Sequence, residues 1–154
     1  VKATVVRLFN AFGVGLKESD HRILPRMASA MKSGRLLRVF AGGYRPTRTY
    51  SPAANTVAGI LLALVKGGLG PYNIGAAKPE MTVPDLAALA QRVTGKKLDL
   101  EYVNPPALYA SEPMRRCPDI TKAHTELGYE PTVTLIDGLE RFFRWALETY
   151  TGEQ

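Results

Sequence analysis

The sequence predicts an α/β fold, a small mixed sheet with about five helices, on three observations. Short apolar runs alternate with longer amphipathic ones, and glycine or proline falls at most of the junctions. No apolar run reaches the roughly 18 residues that a membrane span needs. The 154 residues suffice for one domain with its own core, taken as residues 1–154.

The elements follow in order. Ala3, Val5, Val6, Leu8 and Phe9 predict a strand that ends in Asn10 and a turn shaped by Gly13 and Gly15. Ile23, Met27, Ala30 and Met31 recur at helical spacing, with Gly34 as the stop, and both methionines read as core. A strand is expected over 36–40. Residues 41–55, with two prolines and two arginines, read as a loop. Asn55 is placed to cap a helix over 56–66 that is apolar on nearly every side, which predicts burial between layers.

Another strand is expected over 71–75. Thr82 and Asp85 form a capping-box pattern before a helix whose stripe is Leu86, Leu89, Ala90 and Val93, closed by Gly95. Residues 98–103 alternate as a strand, and a polar stretch with four prolines fills 104–118. A short helix follows, closed by Gly128 and Pro131. The last helix, 135–150, turns Leu139, Phe143, Ala146, Leu147 and Tyr150 inward.

Charge is unevenly spread. Residues 1–50 carry ten Lys/Arg against Glu18 and Asp20, a balance of +8, whereas the whole chain is +6. A nucleic acid, a nucleotide phosphate, an acidic partner or a plain solvated surface would each account for it. Tyr44 and Tyr50 flank basic residues as base-stacking rings would, but no nucleic-acid module surrounds them. Cys117 is the one cysteine, which excludes an internal disulfide and suits a reducing compartment. The opening VKATVV shows no basic-then-apolar leader, so the expected location is cytoplasmic.

His21 and His124 are far apart and no carboxylate cluster keeps ligand spacing, so no metal site is expected, and His124 reads as a surface residue. Nucleophile-elbow and Walker A patterns are missing, and Gly13-Val14-Gly15 lacks the third glycine of a dinucleotide loop.

Four segments carry a specific resemblance. VVRLFNAFGVG is similar to an Arg-x-x-Asn-x-(Tyr/Phe)-Gly segment. RILPRMASAMKSGRLLRVFAGGYRPTRTY resembles a helix, a Val-Phe strand and a Thr-Arg-x-(Phe/Tyr) element. YNIG with TVPDL, and RRCPDITKAHTELGYEP with DGL, complete the series. In this order they resemble the second half of the NAD-dependent epimerase/dehydratase family, in the extended short-chain dehydrogenase/reductase superfamily.

The resemblance implies the C-terminal, substrate-binding part of a Rossmann-type enzyme, lacking the NAD-binding half. It implies a nucleotide-diphosphate sugar as ligand and a homodimer when complete, with no membrane and no nucleic acid as partner. Asn10 would bond the diphosphate, Phe40 stack on the base, Arg48 and Arg116 clamp the diphosphate, and Asp119 lie near the ribose. Arg7 reads as structural, and Arg115 is a register rival to Arg116. NAD or NADP would be bound in the complete enzyme and none by this chain alone. No catalytic residue is expected here, because none of the seven tyrosines has a lysine four residues on.

The chain departs from the pattern at Val14, usually proline, at Asn55, usually aspartate, and in a loop 43–48 one residue longer. Three alternatives stay open: a non-catalytic nucleotide-sugar-binding module, a reductase of the steroid or flavonoid type, and a basic nucleic-acid-binding domain. Residues 56–66 and the first strand are expected to pack against the other half and, without it, to expose an apolar patch.

Overall fold

The computed structural model describes residues 3–41 and 45–153. Tyr44 and part of the lengthened loop therefore lie outside the described residues. The order is β1 (Val5–Leu8), β2 (Ala11–Phe12), α1 (Ile23–Ser33), β3 (Leu37–Phe40), β4 (Thr47–Arg48), β5 (Ser51–Pro52) and α2 (Ala53–Lys66). Then come β6 (Pro71–Ile74), α3 (Val83–Thr94), β7 (Leu100–Val103), a 3-10 turn (Ala107–Ser111) and β8 (Arg115–Arg116). A π-helical turn (Ala123–Leu127) and α4 (Leu135–Thr149) complete the chain. The π-helical turn is the short helix expected before Gly128.

Strands pair in parallel as β1 with β6, β2 with β5, β3 with β7 and β4 with β8. The antiparallel bridge between Arg48 and Met81 makes the arrangement mixed. Parallel partners cannot be joined by a tight turn, so each pair brings together segments far apart in sequence.

One core lies among α1, α3, α4 and β3, where Met27, Leu86, Leu139, Phe142 and Phe143 are buried. A second joins Ala63 of α2 and Tyr72 and Ile74 of β6 to Ala123, Leu127 and Tyr129. Local signals explain the helices of the first core. Gly34 ends α1 in the left-handed region at φ 71°, where a Cβ would be strained. Thr82 and Asp85 exchange both bonds of the capping box at the start of α3.

Three expectations are corrected. Residues 41–55 are not simply a loop, since they contain β4, β5 and the first turn of α2, and Asn55 does not cap that helix. Its amide is turned to Val133 instead, donating to the carbonyl at 2.8 Å and accepting from the N–H at 3.0 Å. Nor is α2 buried between layers on all sides. Its small face packs, because Gly59 lets β6 and Tyr129 come close: a Cβ there would stand 2.9 Å from Tyr129 Cε2. On the other face Val57, Leu61, Leu64 and Val65 are exposed, as are Val5 and Leu8 of β1. The apolar patch expected of residues 56–66 and the first strand is therefore present.

Among the described residues, no helix is long and apolar enough to cross a membrane.

Candidate functional site

Parallel strands aim their C-terminal ends the same way, and such ends line ligand crevices in α/β proteins. Here Asn10 lies just past the end of β1, Phe40 ends β3 and Arg48 ends β4. All three line one open cavity of about 230 Å³, with Arg22, Tyr50, Tyr109 and Glu112 among its other walls.

Asn10 adopts φ 36°, a left-handed conformation that asparagine tolerates better than most residues. Its Nδ2 donates to the Thr49 carbonyl at 2.9 Å, and its own carbonyl accepts from Ser51 N–H at 3.1 Å. Asn10 thus ties the end of β1 to the segment that carries Arg48. One Nδ2 hydrogen is used in that bond, which leaves a second donor on the same amide.

The Arg48 guanidinium is held in place. Its side chain is only 14% exposed, Nη1 donates to the Thr47 carbonyl at 2.9 Å, and Nη2 stands 3.6 Å from Glu112 Oε2. Its backbone exchanges two hydrogen bonds with Met81, which fixes the strand. Pairing of β4 with β8 sets Arg116 directly beside Arg48, and Arg116 Nη2 donates to the same Glu112 oxygen at 2.8 Å.

Arg115 points elsewhere, donating to both Glu80 oxygens at 3.0 Å. Glu80 also accepts from the Thr47 hydroxyl, and these bonds hold its carboxyl below the usual range. Of the two register rivals, Arg116 is the one joined to the Arg48 cluster.

Phe40 is half-buried at the rim, its ring edge-on to Tyr109 with centroids 4.6 Å apart. It lies outside the main core, so it presents an aromatic surface to the cavity. Tyr50, which lines the same cavity, is buried, and burial pushes its hydroxyl up to about 12 despite the Arg48 charge. Tyr50 therefore stays protonated across the neutral range and acts as wall.

Asp119 is not brought to this cavity's lining. Its Oδ1 accepts from Thr121 N–H at 2.9 Å, which starts the turn before Ala123, and hydrogen bonds from the Thr121 side chain and N–H lower its carboxyl from the ordinary value. Its carbonyl accepts from Asn73 Nδ2 at 2.9 Å.

The sequence reading missed Arg22, Tyr109 and Glu112. Arg22 pairs with Asp20 at 2.6 Å and donates to the Ala11 carbonyl at 3.1 Å, bracing the cavity wall. The one signal for it was an acid two residues earlier; for Tyr109 and Glu112, inside the proline-rich stretch, there was none. Among the described residues no group of three or more His, Cys, Asp or Glu is placed to hold a metal.

A family model described as GDP-mannose 4,6 dehydratase matches residues 1–142. UDP-glucuronic acid decarboxylase 1 of Xenopus tropicalis is 29% identical, over 100% of this chain and 36% of its own length. Among solved structures, a UDP-glucose 4-epimerase of Thermotoga maritima with UDP-glucose has a TM-score of 0.84 at 28% identity. That match covers 95% of this chain and 46% of the epimerase. A UDP-glucuronic acid 4-epimerase of Bacillus cereus, in complex with UDP-glucuronic acid and NAD, gives 0.81 at 26%, over 96% and 46%. The chain thus spans about a third to a half of the length of these relatives.

Proposed function

The chain belongs to the GDP-mannose 4,6 dehydratase family, among the NAD-dependent epimerases and dehydratases of the extended short-chain type, and on that premise we propose that its cavity binds the nucleotide diphosphate of an activated sugar. The observation that carries this is the convergence of Asn10, Phe40 and Arg48 on one cavity, with Arg116 joined to Arg48 through Glu112. Two guanidinium forks side by side match the oxygens of a diphosphate, at less desolvation cost than ammonium groups. The second amide hydrogen of Asn10 adds a donor, and Phe40 offers a face for a base. Asp119 takes no part in this reading.

Of the ten basic residues in the first third, Arg38 pairs with Glu101 and Arg48 with Glu112, both acids from later in the chain.

Gly13 and Gly15 do not form a dinucleotide-binding loop for the nicotinamide cofactor. A dinucleotide loop runs from a strand directly into a helix, whereas Gly13 and Gly15 lead into a turn, and α1 starts only at Ile23. We therefore assign no hydride or proton transfer to this chain. In our reading NAD or NADP sits on a separate half that covers the exposed face of α2 and β1, and the complete enzyme is cytoplasmic.

Isothermal titration of the chain with UDP, dTDP and GDP sugars tests the assignment. The expected result is binding that Arg48→Ala weakens about tenfold or more, the scale of a lost charge-assisted bond. Equal affinity in Arg48→Ala would overturn it and favour the steroid or flavonoid type of reductase.

A further inference from the structure

Two like charges at facing positions of a sheet repel each other, and the β4–β8 register places Arg48 and Arg116 in that relation. The chain supplies its own remedy. Glu112 Oε2 accepts from Arg116 Nη2 at 2.8 Å and stands 3.6 Å from Arg48 Nη2. One anionic oxygen between two guanidinium groups is the arrangement that a phosphate oxygen would take. A carboxylate and a diphosphate cannot both hold that place, and around a guanidinium only 14% exposed their repulsion is weakly screened.

We propose that Glu112 is an affinity- and specificity-determining residue, an internal counter-ion that a nucleoside diphosphate must displace from Arg48 and Arg116. The proposal rests on the diphosphate reading of the cavity. Position supports it. Glu112 follows the 3-10 turn directly, its N–H donates to the Tyr109 carbonyl at 3.1 Å, and Tyr109 packs on Phe40. The competing carboxylate and the aromatic wall therefore ride on one short segment. A ligand with two negative charges outcompetes the single carboxylate, whereas an uncharged nucleoside has no means of displacing it. Glu112 thus sets how strongly the cavity prefers a diphosphate to a bare nucleoside, and it limits the affinity for the diphosphate.

The test is calorimetric titration of the full chain with UDP and with uridine at low ionic strength, for the unmodified protein, Glu112→Gln, Glu112→Ala and Arg48→Ala. Removing the competing charge is expected to tighten UDP binding about tenfold in both Glu112 variants, the scale of one charge-assisted contact. Uridine binding should not change, and Arg48→Ala should weaken UDP. If both Glu112 variants bind UDP no tighter, or more weakly, Glu112 braces the arginines and the proposal is overturned. The diphosphate reading survives that result provided Arg48→Ala still weakens UDP. No UDP binding by any of the four proteins overturns both.

Discussion

Replacing Asn55 with alanine removes two hydrogen bonds that fasten the first turn of α2 to the chain just before α4. The residue is 3% exposed, and its side-chain amide both donates to and accepts from Val133, at 2.8 and 3.0 Å. Each bond contributes about 1 kcal/mol net, and a buried partner left unsatisfied costs about 1–3 kcal/mol. Val133 is only half-buried, so water reaches part of what is freed. The sum is a loss of about 2–3 kcal/mol, or roughly 5–10 °C in midpoint for a chain of this size. Urea unfolding followed by circular dichroism, with a shared m-value, measures it. Asn55→Asp retains the acceptor for Val133 N–H but sets a second anionic oxygen against the Val133 carbonyl. At pH 7 it should be at least as destabilised as the alanine variant. A loss below about 0.5 kcal/mol in Asn55→Ala, the range of a neutral surface change, would refute the tether.

Two further outcomes follow from the same reasoning. The hydrogen bonds from Arg22 lower the Asp20 carboxyl from 3.8 to about 2. The unfolded chain therefore binds that proton more tightly, and the stabilisation is complete above pH 3.8 and lost as pH falls through about 2. Asp20→Asn should flatten the acid limb of a pH–stability curve there and leave the neutral region's slope unchanged; an unaltered acid limb would count against the pairing. On the outer face of α2, Leu64 and Val65 are 78% and 80% exposed. Leu64→Glu should lower self-association of the chain in sedimentation velocity, with stability held within about 0.5 kcal/mol. A larger loss would mean that this face is covered.

The helices were legible where the sequence carries a local signal. The Thr82–Asp85 box, the stop at Gly34 and the stripe of α4 each act over a few residues, so each survives folding unchanged. The two-residue strands β2, β4, β5 and β8 were not legible, because two residues carry no period. In α2 an apolar circumference named no side, and the side was decided by Gly59, the position where β6 and Tyr129 come closest.

Phe142 was missed because it neighbours Phe143 around the helix and shares the same broad buried face. At the site, Asn10, Phe40 and Arg48 were legible through strand-end motifs, which the fold then gathers around one cavity. Glu112 was not, since its role depends on a register between β4 and β8 that joins segments more than 60 residues apart.

The central claim, that the cavity at the strand ends is a nucleotide-diphosphate site, is tested most directly by nitrogen–proton correlation spectra of the labelled chain titrated with UDP. The account predicts the largest amide shifts at Asn10, Phe40, Arg48 and Tyr109, which line that cavity. Shifts gathered instead around Thr121, His124 and Glu130, which line a separate groove, would contradict it.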